Sequence, residues 1–88
     1  MPTVQKLPGK FAETEIDDEM VIMHLDTGVF FSIDQTALAI WHLLDSVHDV
    51  PTLVNTIVIK FDISADECEE QVTQFVENLR EKGLVSVD

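Results

Sequence analysis

The sequence predicts an α+β chain, a three-stranded antiparallel meander followed by three helices in a winged helix-turn-helix arrangement. Three observations predict it. Within residues 25–44, LDTGVFFSIDQTALAIWHLL, the apolar period changes from two to 3.6 across Asp34, so a strand hands over directly to a helix. Two further apolar stripes at helical spacing follow, each behind a capping residue, Asp49 and Ser64. Ahead of the first helix only strand-like and turn-like segments occur. Runs of strands followed by runs of helices define the class.

Taken in order, residues 1–10 carry Pro2, Pro8 and Gly9 with no periodicity, and a loosely ordered lead-in is expected. Phe11 to Ile16 alternates weakly with acidic residues, which suits an edge strand whose solvent face is blunted by Glu13 and Glu15. Asp17, Asp18 and Glu19 make a turn. Residues 20–25 are apolar at almost every position, so this strand should lie in the middle of the sheet, covered on both sides. Asp26-Thr27-Gly28 closes the next hairpin because glycine takes the positive φ of a short turn. Residues 29–33 form the third strand, free along one edge.

The helices have clear boundaries. A carboxylate at Asp34 is placed to cap the first, on which Ala37, Ile40, Trp41 and Leu44 recur at helical spacing. Trp41 belongs to the core, with its indole N–H in need of an acceptor. Asp49 caps the second helix and Pro51 is tolerated in its first turn. Val50, Leu53, Val54, Ile57 and Phe61 form its buried stripe; Val58 and Ile59 lower helix propensity, so burial must hold the segment helical. Ser64 and Glu67 match a capping box. The third helix then runs to Lys82, with Cys68, Val72, Phe75 and Leu79 facing the core and Val76 widening that face toward Glu69, Thr73 and Arg80. Gly83 ends it, and residues 84–87 form a short strand-like tail.

Composition bounds the function. Eighty-eight residues make one domain with a modest core. Seventeen acidic against five basic residues give a formal charge of −12, spread along the chain. Such a surface repels phosphate, so neither nucleic acid nor an anionic membrane is an expected partner. No run of about 18 apolar residues is present to span a bilayer, and residues 1–10 lack the apolar core of a signal peptide. Cys68 stands alone, which fits a reducing compartment, and a cytoplasmic protein is expected. Cys68 lies on an apolar stripe and reads as a buried hydrophobe. His24, His42 and His48 show no metal spacing. Neither HExxH, CxxC, a phosphate-binding glycine loop nor a nucleophile with a nearby base occurs, so no enzyme activity, metal or cofactor is expected.

The ordered series Leu-Asp-Thr-Gly at 25–28, Phe-Phe-Ser-Ile-Asp at 30–34, Ala-x-x-Ile-Trp-x-Leu-Leu at 37–44, Phe-Asp-Ile-Ser at 61–64 and Phe-x-x-x-Leu-x-x-Lys-Gly-Leu-Val at 75–85 resembles the PqqD-like family. These are precursor-peptide recognition elements of ribosomally made, post-translationally modified peptides. The likeness spans roughly residues 20–87; its single pieces are ordinary, and their order carries the specificity. It implies a peptide-binding module in which a leader peptide is taken up as an extra strand, in a groove walled by the third helix. The strand would be Val29, Phe30, Phe31, Ser32 and Ile33. The wall would be Glu69, Val72, Thr73, Val76, Glu77 and Arg80. Phe30 or Phe31 would line an apolar pocket, the choice depending on register. Glu69 and Glu77 would meet basic leader residues and Arg80 an acidic one. The implied partners are the precursor peptide and a leader peptidase, as in lasso-peptide pathways, or a radical-SAM or cyclase-type maturation enzyme. Two other readings stand beside this one. A winged-helix transcription regulator would have to push a third helix rich in Asp and Glu into an electronegative groove. An adaptor would bind a protein through the same edge without any leader.

Overall fold

Strand order in the main sheet is β2-β3-β4, all antiparallel, with β2 at Phe11–Ile16, β3 at Glu19–His24 and β4 at Phe30–Asp34. The computed structural model of the chain describes residues 3–88; Met1 and Pro2, from the expected lead-in, lie outside the described residues. The sheet is preceded by β1 (Val4–Lys6) and a 3₁₀ turn (Pro8–Lys10). It is followed by α1 (Gln35–Leu43), α2 (Val50–Phe61), α3 (Ala65–Glu81) and β5 (Val85–Val87). A three-stranded antiparallel sheet and three helices in an α+β chain are thus present as the sequence predicts.

Both hairpins rest on the expected turn chemistry. Asp17, with φ of 56°, and Asp18 join paired residues Ile16 and Glu19. Gly28 has φ of 74° and its N–H donates to the His24 carbonyl at 2.8 Å, while the His24 N–H donates to the Val29 carbonyl at 2.8 Å. Asp49 accepts from the Thr52 backbone N–H at 2.9 Å and from the Thr52 hydroxyl at 2.6 Å. Ser64 Oγ accepts from the Glu67 N–H at 3.2 Å, and Gln71 donates to the Glu67 carboxylate at 3.4 Å. Gly83, with φ of 75°, lets the Leu84 N–H return to the Leu79 carbonyl at 3.0 Å and closes α3. One core cluster joins Ile22 from the sheet with Ile40, Trp41, Leu53, Ile57, Val72 and Leu79 from the helices.

Four expectations are corrected. Residues 4–6 are no loose lead-in: β1 pairs antiparallel with β5, Val4 opposite Val87, and Val4 is fully buried. The reason is non-local, since a three-residue strand shows no period and its partner lies at the other end of the chain. Asp34 precedes α1, but its side chain makes no cap hydrogen bond; the left-handed backbone of Gln35, φ 50°, turns the chain between the carboxylate and the first helical amides. Glu13 and Glu15 do not blunt a solvent face. They sit opposite Ile22 and Met20 on the helix-facing side, where Trp41 Nε1 donates to Glu13 at 3.0 Å and His42 Nε2 lies 2.8 Å from Glu15. Strand β3 is central, yet only one of its faces is covered: Met20 and Ile22 are buried, while Met23 is 38% exposed.

Candidate functional site

The sheet has two edges, and their chemistry differs. In an antiparallel pair, directly opposed residues alternate between hydrogen-bonded and non-bonded pairs. The bond from His24 to Val29 sets the phase: Ile22 with Phe31 and Met20 with Ile33 are the bonded pairs, so the backbone N–H and C=O of Phe30 and Ser32 point away from the sheet. On the far side of β3 the same alternation turns the free backbone groups of Glu13 and Glu15 outward on β2. One edge therefore carries two carboxylate residues and the other carries Phe30 and Ser32. A charged edge resists strand addition; the β4 edge has no such protection until Asp34.

Register settles the orientation of the two phenylalanines. Phe31 and Ile33 share the inner face with Ile22 and Met20; Ile33 is buried and Phe31 half-buried against the core. Phe30 is 69% exposed on the outer face with Ser32. Val29 lies just before β4 and is exposed. Beside this strand a cleft of about 240 Å³ is lined by His24, Thr27, Val29, Phe31, Glu81 and Lys82. Lys82 Nζ stands 5.5 Å from the Phe31 ring centroid, and a Cβ on Gly83 would come within 3.4 Å of His24 Nε2. The C-terminal end of α3 thus closes against the β3–β4 hairpin.

The α3 residues named from the sequence divide into three groups. Val72 has no exposed surface and Val76 only 6%, so both hold the helix against the core from behind and present almost no side chain outward. Glu69, Thr73 and Glu77 line an open depression on α3 together with Asp66, Glu70, Gln74 and Asn78, with no strand residue among them. Arg80 already holds a partner, since Nε donates to Glu77 Oε2 at 3.0 Å and Nη2 donates to Oε1. The Arg80 hydrogen bond holds the Glu77 carboxyl below its ordinary range, and Glu77 raises Arg80 in return. The structure gathers Val29 and Phe31 with His24, Thr27, Glu81 and Lys82, four residues missed in the sequence. The only signal for them was Gly83, which fixes where α3 ends; how the helix end meets the hairpin is a tertiary fact.

Cys68 is buried, its Sγ donates to the Val54 carbonyl at 3.5 Å, and burial pushes its thiol up, away from thiolate. Among the described residues no group of His, Cys, Asp and Glu side chains is arranged to hold a metal ion. No helix among them is long and apolar enough to cross a membrane.

Fold and site together define a small α+β protein whose sheet has one edge, free of charge from Phe30 to Ile33, open beside a helix end. The chain belongs to the family described as Coenzyme PQQ synthesis protein D (PqqD), whose model matches residues 19–85. Among solved structures it is similar to TbiB1 in complex with the TbiA(beta) leader peptide, at 27% identity over 93% of this chain and 94% of that one, with a TM-score of 0.84. It is also similar in fold to a lasso peptide synthetase B1 complexed with the leader peptide, at 20% identity over 94% of this chain and 96% of that one, with a TM-score of 0.80. No curated protein matches.

Proposed function

We propose that this chain captures the leader segment of a ribosomally made precursor peptide as a fourth strand along β4. It then presents the precursor to a separate leader peptidase or modifying enzyme and carries out no chemistry itself. The observation that carries this reading is the β4 edge, with the backbone groups of Phe30 and Ser32 turned outward next to an apolar cleft at Val29 and Phe31. Backbone pairing supplies general affinity and the cleft supplies selectivity. The solved TbiB1 structure, of similar fold and size, holds a leader peptide and supports the same reading here.

In this site Val29 and Phe31 contribute side chains, Phe30 and Ser32 contribute backbone, and Ile33 forms the floor. Along α3, Glu69, Thr73, Glu77 and Arg80 flank the path, with Val72 and Val76 supporting the helix beneath them. We read the three helices as a winged-helix arrangement used for peptide, in a single cytoplasmic domain. A DNA-binding use is opposed by the carboxylates along α3.

The test is a titration of ¹⁵N-labelled protein with the leader of a ribosomally made precursor peptide from the same genome. Saturating amide shifts on residues 29–33 and 69–82 are expected. Saturation with shifts elsewhere keeps leader binding and discards the site; no binding refutes the function.

A further inference from the structure

The two walls of the cleft beside β4 belong to different packing units. His24, Thr27, Val29 and Phe31 come from the β3–β4 hairpin, and Glu81 and Lys82 from the end of α3. Among the described residues, α3 packs chiefly on α2, β5 and α1, not on a strand of the three-stranded sheet. Across the cleft, the long Lys82 side chain lies over Phe31 and Gly83 approaches His24. A flexible lysine and a glycine hold a spacing poorly. One segment, however, reaches from wall to wall. The Leu7 N–H donates to the Leu84 carbonyl at 2.9 Å, just past the end of α3, and the Leu25 N–H donates to the Lys10 carbonyl at 2.9 Å, where the hairpin turns. Between them the Lys10 N–H donates to the Leu7 carbonyl at 2.9 Å and closes the 3₁₀ turn, in which Pro8 fixes one φ. Lys10 Nζ also lies 3.5 Å from Asp26 in the hairpin. Ahead of Leu7, β1 is paired with β5 and Val4 is fully buried, so the segment cannot slide. None of Pro8, Gly9 and Lys10 is buried, so the turn adds little to the core. Its backbone bonds tie the hairpin to the end of α3.

We propose that Leu7 to Lys10 form a brace that sets the spacing of the two cleft walls, so that its length and stiffness tune leader affinity. The effect on affinity rests on the leader-binding reading; the effect on spacing does not. A peptide entering a groove whose walls already stand at the right distance does not have to order them, and the saving appears as affinity. With the brace slack, the hairpin and the helix end sample a range of spacings, and only the competent fraction takes up peptide. Leu7 and Lys10 are positioning residues in this scheme. They act through Leu84 and Leu25, neither of which lines the cleft.

Two brace variants test this. Two glycines inserted after Gly9 lengthen the brace at an exposed position where a Cβ would meet nothing within 4 Å. Pro8→Gly softens it at constant length. Both are titrated calorimetrically with the leader of a ribosomally made precursor peptide from the same genome, beside Glu13→Ala, which loosens the fold on the side of the sheet away from β4. Leader affinity should fall about tenfold for the insertion and about threefold for Pro8→Gly, and stay within about twofold for Glu13→Ala. Val29→Ala should weaken binding to the wild-type chain and add little on the lengthened one, because a slack cleft no longer grips. Without any peptide, the ring-current shift that Phe31 imposes on the Lys82 side-chain protons should shrink in both brace variants. Wild-type affinity in both overturns the proposal. So does a loss in Glu13→Ala that follows Tm as theirs does, since the effect is then one of stability alone. If the leader fails to bind the wild-type chain, the leader-binding reading fails, and the Lys82 shift decides the brace by itself: a smaller shift in the variants keeps it as a spacer, and an unchanged shift overturns it.

Discussion

Trp41 Nε1 donates a hydrogen bond to Glu13 Oε2 across 3.0 Å, tying the middle of α1 to the outer strand of the sheet. The tryptophan is fully buried, with Phe11 edge-on at 5.1 Å and Lys6 Nζ 4.0 Å from its ring centroid. Lys6 also pairs with Asp45 just beyond α1, at 2.8 Å. One side chain therefore anchors β1, β2 and α1 together, on the side of the sheet away from β4. The β4 edge is left clear of these contacts.

Glu13→Ala should remove the acceptor for the indole N–H and destabilise the fold by about 1 kcal/mol, a fall in Tm of roughly 5 °C. Glu13 is partly open to water, which limits the cost by offering a replacement acceptor. Glu13→Gln keeps a carbonyl and should recover more than half of the loss. Thermal melts followed by circular dichroism, with the Trp41 indole N–H resonance as the local probe, check both.

Much of this was legible before the structure. The hairpin at Gly28, the caps at Asp49 and Ser64, and the Gly83 stop are local, because each needs only a few consecutive residues. Three things were not local. Pairing of Val4 with Val87 joins opposite ends of the chain. The faces of Glu13 and Glu15 depend on two polar groups of α1, at Trp41 and His42, taking them as acceptors. The contact of Lys82 with Phe31 depends on how α3 meets the sheet, which no helical period encodes. At the candidate site, Val29 and Phe31 were readable as strand residues. Burial of Val72 and Val76 was ambiguous because a widened apolar stripe looks the same whether it meets a core or a ligand.

Val76 separates those two meanings. At 6% exposure it packs in the core, so Val76→Ala should cost about 2 kcal/mol and lower Tm without touching a leader contact. Val76→Asp would bury a carboxylate with no partner, a cost of several kcal/mol that approaches the whole stability of a small domain. A melted circular dichroism spectrum is expected for the Asp variant. A folded Val76→Asp protein with weakened leader binding would instead place this side chain in the groove.

Acid should loosen the fold through Asp49 and Glu77. Asp49 is held below its ordinary value by the Thr52 hydroxyl first and the Thr52 backbone N–H second, and Glu77 by Arg80. A carboxyl whose folded pKa lies below its unfolded one contributes stability at any pH above the unfolded value. That contribution disappears as pH falls through the folded value. Stability from these groups is therefore full at neutral pH and declines below about pH 4. Asp49→Asn keeps a capping oxygen and loses only the charge at the helix N-terminus, so it should change Tm by no more than about a degree or two at pH 7 and make the decline between about pH 4 and 2 shallower than in the wild-type chain. Denaturant midpoints measured across that range would show an unchanged slope if the Asp49 cap were unimportant.

Ser32→Pro tests the strand edge itself. The alternation fixed by His24 and Val29 turns the Ser32 N–H outward, so proline there removes a donor that no strand of the sheet uses. Proline is tolerated on an edge strand in that orientation, and Phe31 before it already has an extended backbone. Stability should change by less than about 1 kcal/mol, while leader affinity should fall about tenfold for the lost backbone bond. Leader peptides N-methylated one position at a time should lose affinity at every second residue, since only alternate amides of an added strand face β4. An unaffected Ser32→Pro protein and a flat methylation profile would together show that the peptide binds through side chains alone and that β4 is not extended.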